Sequence, residues 1–244
     1  MEQSVSLQRS VGILGGMGPA ATVDLMQRIL SMTPAQDDAD HLRIFVDNNP
    51  QVPSRIAALI DGTGPSPAPV LRSMAAGLIA QGADFLAMPC NTAHHYHAEV
   101  AADLSVPFLN MVDLAAEALA ALEPRVLRVG LLASSALQKI ELYEPSLASC
   151  GMQVLYPRGQ KQERLMELIR AIKADSATSA QRAAFGAAAV DLEDSGADVV
   201  LIACTELSVI NDDLNSAIRI YDAADILSRA IVEYARDPHA TARD

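Results

Sequence analysis

The apolar residues of this chain fall in short unbroken runs, and the stretches between them carry a helical rhythm. Ser10–Leu14, Leu42–Asp47, Asp84–Met88, Val106–Met111, Val126–Ala133, Gln153–Tyr156, Val199–Ala203 and Ile218–Asp222 are runs bounded by Gly, Pro or Asp, the pattern of parallel strands buried on both faces. Ala21–Met32, Pro67–Gln81, Ala93–Asp103, Leu114–Leu122, Lys139–Ser149, Lys161–Ala174, Ser179–Ser195 and Ala223–Arg236 read as helices. Alternation of the two predicts an α/β fold with parallel sheets.

An internal repeat refines that picture. Arg9-Ser-Val-Gly-Ile-Leu-Gly-Gly is echoed by Leu127-Arg-Val-Gly-Leu-Leu-Ala-Ser. Gln81-Gly-Ala-Asp-Phe-Leu-Ala-Met-Pro-Cys90-Asn-Thr is echoed by Ser195-Gly-Ala-Asp-Val-Val-Leu-Ile-Ala-Cys204-Thr-Glu. Cys90 and Cys204 are 114 residues apart, as are Gly82 and Gly196, while Gly12 and Gly130 are 118 apart. A repeat this long predicts two similar α/β halves rather than a solenoid. Each half places one cysteine just beyond the carboxyl end of its third strand, where open α/β sheets bind ligands. Two such halves face to face would bring Cys90 and Cys204 to opposite sides of one cleft.

Composition changes the picture in two ways. Half of the 244 residues are apolar, enough for each half to bury a core. The formal net charge of -12 argues against nucleic acid as a partner and obliges an anionic substrate to find local cations. Neither a run of 18 uncharged apolar residues nor an apolar stretch in Met1–Ser10 is present, so neither a membrane span nor a secretory leader is expected. Three cysteines are too few for a disulfide scaffold of this size, which fits a reducing cytoplasm.

The chemistry sits at the strand ends. In Pro89-Cys90-Asn91-Thr92-Ala93-His94 a strand runs almost directly into a helix, whose free N–H groups and positive end favour a thiolate over a thiol of ordinary pKa about 8.5. The same groups, with Asn91 and Thr92, could hold a carboxylate. Ala203-Cys204-Thr205-Glu206 offers the same geometry. Two proton carriers on opposite faces of one carbon are what stereoinversion requires.

The glycine turn Gly15-Gly16-Met17-Gly18 matches a dinucleotide fingerprint only weakly, since Asp47 lies 31 residues beyond Gly16. It is expected to be a tight turn closing on a small substrate, or a plain connector. In the extended Asp47–Arg55 segment, Gln51 offers an amide and Arg55 a bidentate fork for a carboxylate. Ser134 and Ser135 either bind substrate or cap the next helix. His94, His95 and His97 lack zinc-ligand spacing and are expected on a helix surface, partly exposed. Cys150 is expected to pack or to be incidental, and with that histidine spacing no metal site is expected.

With these motifs in view, the chain resembles the aspartate/glutamate racemase family, and within it the aspartate racemase branch. The resemblance is carried by Gly-Ile-Leu-Gly-Gly-Met-Gly-Pro at 12–19, Asn-Asn-Pro-Gln-Val-Pro-Ser-Arg at 48–55, Met-Pro-Cys-Asn-Thr-Ala-His at 88–94 and Ala-Cys-Thr-Glu-Leu at 203–207. It implies two pseudo-symmetric domains, each with a parallel, mostly four-stranded sheet flanked by helices, and an active site in the cleft between them. The first domain would span 1–115 plus 222–244 and the second 116–221. It further implies a homodimer and racemisation of a small amino acid, most simply aspartate or glutamate, without pyridoxal phosphate or another cofactor. Cys90 and Cys204 would be the acid/base pair. Met17, Gln51, Asn91, Thr92, Ala93 and Thr205 would line the substrate with Ser134 and Glu206, and Arg55 would meet a side-chain carboxylate. Where acidic-substrate members carry a gripping lysine, an ungapped reading finds Glu163, with Lys161 and Arg164 close by. A glutamate there would repel an acidic side chain. Three other readings remain open: a racemase of another amino acid, a maleate-isomerase-like enzyme, and a non-catalytic amino-acid binder.

Overall fold

A computed structural model describes residues 8–211, 214 and 217–237. Most of Met1–Ser10 and the ends of the first expected domain, 1–7 and 238–244, lie outside it. The first half runs β1 (Val11–Gly15), α1 (Pro19–Met32), β2 (Ile44–Asn48), α2 (Ala68–Ala80), β3 (Phe85–Ala87), α3 (His97–Ala101) and α4 (Met111–Ala120). The second runs β4 (Arg128–Leu132), α5 (Ser135–Lys139), α6 (Glu144–Ser149), β5 (Gln153–Leu155), α7 (Gln160–Lys173), α8 (Ser179–Asp194), β6 (Val199–Ile202), α9 (Thr205–Ser208), β7 (Ile220–Asp222) and α10 (Ala223–Arg236). All pairings are parallel, ordered β2-β1-β3 and β5-β4-β6-β7.

The repeat is visible in the packing. Gly82 and Gly196 end α2 and α8 with positive φ of 104° and 86°. Their N–H groups, and those of Ala83 and Ala197, donate back to the last carbonyls of each helix, the usual glycine stop. The aspartate that follows ties the chain to the neighbouring strand. Asp84 Oδ2 accepts from the Ser10 N–H at 2.7 Å, and Asp198 Oδ2 accepts from Leu127 and Arg128 at 2.9 and 2.8 Å. Gly12 and Gly130 occupy equivalent places in β1 and β4. A Cβ on Gly12 would come within 2.7 Å of Leu86, and one on Gly130 within 2.9 Å of Leu192.

Strand alternation divides the apolar residues cleanly. Val11, Ile13, Phe85 and Ala87 join Val129, Leu131, Val199 and Leu201 in one cluster with α1, α4 and α10. The opposite faces form separate cores, Leu14, Leu86 and Met88 against α2, and Leu132, Val200 and Ile202 against α7 and α8.

Three expected elements differ. Val106–Met111 contributes only a parallel bridge, Phe108 to Leu86. Pro107 has no N–H to extend the ladder, and Asn110 already caps α4, its Oδ1 accepting from Val112 N–H at 3.0 Å. Lys139–Ser149 is broken into α5 and α6 around Glu141, at φ 49°, with a proline opening α6. Ala93–Asp103 becomes a 3-10 turn, Thr92–Tyr96, followed by the short α3. No helix among the described residues is long and apolar enough to cross a membrane.

Gly12→Ala and Gly130→Ala are each expected to lower unfolding stability by about 1–3 kcal/mol, the usual cost of forcing extra volume into a packed core. Urea denaturation checks this; wild-type midpoints for both would show that the helices do not need glycine beneath them.

Candidate active site

In both sheets the chain leaves the central strand to one side and returns on the other, so the loops after β1 and β3, and after β4 and β6, flank topological switch points. Those four loops wall one cleft. The first half brings Met17, Cys90, Asn91 and Thr92, with Ser54, Arg55 and Ile56 from the segment after β2. The second half brings Ser134, Ala203, Cys204, Thr205 and Glu206, and the face of α7 carrying Met166, Ile169, Arg170 and Lys173. Cys90 and Cys204 are free thiols, each 6 % exposed and so shielded from bulk water.

Cys204 precedes α9 as its N-cap. Its Sγ donates to Glu206 Oε2 at 3.2 Å. Burial pushes this thiol well above the ordinary range, the Glu206 charge adds to that, and Lys173 only partly opposes it. The expected lowering by the helix start is therefore reversed here: α9 is four residues long, and desolvation with a neighbouring carboxylate outweighs so short a dipole. Lys173 Nζ pairs with Glu206 Oε1 across 3.1 Å, without hydrogen-bond alignment. Burial lowers the Lys173 pKa, but Glu206 and the two cysteines more than restore it, and the net direction is upward.

The Cys90 loop is held by His94. Its Nδ1 lies 2.9 Å from the Cys90 carbonyl, and its Nε2 accepts the Met111 N–H at 3.1 Å. With Nε2 accepting, Nδ1 carries the proton and donates. His94 is thus buried, contrary to the expected surface position, because both ring nitrogens are needed to join the cysteine loop to α4. His97 is half-buried, 2.9 Å from the Phe108 carbonyl, and His95 is exposed.

Asn91 is buried, its Oδ1 accepting from the Tyr143 hydroxyl at 2.5 Å. Ser134 lines the cleft and also caps α5, its Oγ accepting from Leu137 N–H at 3.3 Å. Arg55 donates to the carbonyls of Pro53 at 3.1 Å and Met17 at 3.3 Å, and pairs with no carboxylate among the described residues. Gly16, at φ 90°, packs so closely on the backbone of Asn49 that no Cβ fits, which fixes the turn presenting Met17.

Two expected lining residues stand apart from the cleft wall. Gln51 is exposed, because the turn at Asn49–Gln51 carries it outward. Ala93 is fully buried in the apolar core of its half. Glu163 is also outside, exposed at the start of α7. The cation facing the thiols is Lys173. Lys161 instead pairs with Asp191 at 2.5 Å. An ungapped reading could not find Lys173, but its spacing could: 166, 169, 170 and 173 share one helical face.

A family model for Asp/Glu/Hydantoin racemases matches residues 14–231. The chain is 28 % identical over 235 residues to the broad specificity amino-acid racemase RacX of Bacillus subtilis, covering 91 % of this chain and 96 % of that one. Its structure is similar to Picrophilus torridus aspartate racemase, with TM-score 0.81, 31 % identity and coverage of 93 % and 94 % of the two chains. It also shares the fold of an aspartate racemase homologue from Pyrococcus horikoshii, with TM-score 0.73, 21 % identity and coverage of 94 % and 100 %.

Burial lowers the His94 pKa from 6.5 to about 4, with the His97 ring adding to the effect and the hydrogen bond to Cys90 opposing it. A depressed histidine pKa means that the unfolded chain binds the proton more readily. The stability His94 contributes is therefore present above about pH 6.5 and lost as pH falls towards about 4. By NMR its ring should remain neutral, with the proton on Nδ1, at pH 5.5; a midpoint at or above 6.5 would contradict this.

Proposed function

The chain belongs to the Asp/Glu/Hydantoin racemase family, and we propose that it is an amino-acid racemase inverting the α-carbon of aspartate or glutamate by proton transfer between two thiols, without pyridoxal phosphate. The observation that carries this reading is that Cys90 and Cys204 follow equivalent strands of two repeated halves and wall the same cleft. We extend it to a homodimer, as the family resemblance implies, acting in the cytoplasm, which the small number of cysteines fits.

In this mechanism the α-carboxylate is held by Asn91, Thr92, Thr205 and nearby backbone N–H groups. A thiolate on one side takes the α-proton and becomes a thiol. The thiol on the other side gives its proton to the opposite face of the flattened carbon and becomes a thiolate. Charge spreads onto the carboxylate as the C–H bond breaks, and fixed donors around it supply stabilisation that water would provide less well. Cys204 enters as the thiol, since burial and Glu206 keep it protonated, which leaves Cys90 as the base of that turnover. That turnover ends with Cys90 as the thiol and Cys204 as the thiolate, which is the state the other enantiomer requires. Return to the resting state moves one proton from Cys90 back to Cys204, whose Sγ donates to Glu206 Oε2 at 3.2 Å.

Arg55, Arg170 and Lys173 on the cleft wall support an acidic substrate, for which Arg55 and Lys173 would hold the distal carboxylate. A second reading, broader specificity of the kind named for RacX, is favoured by the apolar part of the same wall, Ile56, Met166 and Ile169.

Each enantiomer of aspartate, glutamate, alanine and lysine, incubated in D₂O, tests the activity. Racemisation with α-deuterium uptake is expected for the acidic pair, and no exchange with any of them would sink the reading. Cys90→Ala and Cys204→Ala should each reduce racemisation by at least about 10²–10⁴-fold, the usual worth of a positioned acid or base. Activity surviving both changes would refute the two-thiol scheme. Arg55→Ala and Lys173→Ala should each raise KM for aspartate about tenfold, equivalent to about 1.4 kcal/mol, and leave KM for alanine unchanged. Unaltered aspartate KM in both variants would favour the broad-specificity reading instead.

A further inference from the structure

We propose that Tyr143 is a positioning residue for this reaction, reaching from the second half to clamp the Asn91 amide of the first half so that its NH₂ group faces the substrate carboxylate. The proposal rests on the racemase reading above. Tyr143 is fully buried and Asn91 is 3 % exposed. Their contact, hydroxyl to Oδ1 at 2.5 Å, crosses between the halves immediately beside Cys90.

The clamp determines which end of the amide is free. With Oδ1 occupied, Nδ2 is left buried and without a partner, although Asn91 lines the cleft. Native structures leave few buried donors in that condition, because the lost hydration is not returned. An incoming carboxylate supplies the missing acceptor. The reversed amide would present a carbonyl oxygen to that carboxylate. It would also orphan the phenolic proton, which has no other acceptor among the described residues. Burial, with the charges of Asp222 and Asp113, keeps the phenol protonated and therefore a donor. Tyr143 thus acts through Asn91 and needs no contact with the substrate.

A double-mutant cycle on Tyr143→Phe and Asn91→Ala tests this, measured both as kcat/KM for aspartate racemisation and as the calorimetric Kd for succinate, a dicarboxylate that cannot racemise. Tyr143→Phe should lower kcat/KM and weaken succinate binding, each about tenfold. That is less than the about 10²–10³ lost when an oxyanion donor is deleted outright. In the Asn91→Ala background the tyrosine change should have no further effect on either quantity. A Tyr143→Phe protein that binds succinate no differently from the wild type overturns the proposal. So does an equal loss with and without Asn91, or a lowered Tm with unchanged kcat/KM and Kd. Failure of the racemase reading shows separately, as a wild-type protein that neither inverts nor exchanges aspartate.

Discussion

Both sheets turn one face onto the same apolar cluster: Val11, Ile13 and Phe85 from one, Val129, Val199 and Leu201 from the other, with residues of α1, α4 and α10 completing it. A close-packed interior does not deform in small steps. The carboxyl ends of β3 and β6 therefore keep one relation, and so do the loops that carry Cys90 and Cys204. A proposed reaction in which two sulfurs must address one carbon from opposite faces needs this more than it needs any single hydrogen bond. Effective concentration in such a site comes from geometry fixed before the substrate arrives. The buried links across the molecule serve the same end. His94 ties the Cys90 carbonyl to α4, and Arg28 on α1 donates to the Ser208 carbonyl at 2.7 Å. Ser208 also donates to Asp222 at 2.7 Å, so α9, which carries Thr205 and Glu206, is held from two sides.

Charge works against the fold's average. The chain carries a net -12, and its far field disfavours an approaching anion. Within the cleft the balance is local: Arg55, Arg170 and Lys173 face a single acid, Glu206. Exposed charges more than about 10 Å away are largely screened at physiological salt, so the near cations decide. Glu206 has a second effect. Beside a buried thiol it keeps the proton on Cys204, while Lys173 tempers it. Asp222 shows the same competition: burial raises it to about 6 although Arg28 pulls it down.

Much of this was legible along the chain. The Gly-Ala-Asp repeat located the starts of β3 and β6 because it encodes a helix stop, a turn and a strand staple, all local features. The cysteine pair followed from the repeat. What could not be read depended on three-dimensional neighbours. The surface expected for the three histidines failed at His94, whose partners are a carbonyl four residues back and an N–H seventeen residues on. The ungapped match set Glu163 against the substrate, but position in a sequence is not position on a helix, and it is Lys173 of the same helix that lines the cleft. The strand expected at Val106–Met111 was lost to a proline and to a cap for the next helix. Tyr143 gave no signal at all, since a single aromatic between Glu141 and Glu144 looks like packing until its hydroxyl is seen to reach Asn91 of the other half.

The backbone repeats, but the groups around the two thiols do not. Cys90 is followed by an amide, Asn91, held by a tyrosine from the other half, whereas Cys204 has a carboxylate, Glu206, hydrogen-bonded to its sulfur and paired with a lysine. For the proposed reaction this asymmetry cannot favour either product. The two enantiomers of a free amino acid have equal free energy in water, so the equilibrium constant is one whatever the enzyme does. The ratio of the two kcat/KM values must then also be one. Unequal thiols can act only by dividing that common quotient differently, so that any gain in turnover for one enantiomer is matched in its KM. The pseudo-symmetric scaffold places the two thiols of the proposed reaction, and the departure from symmetry at Glu206 keeps the proton on Cys204.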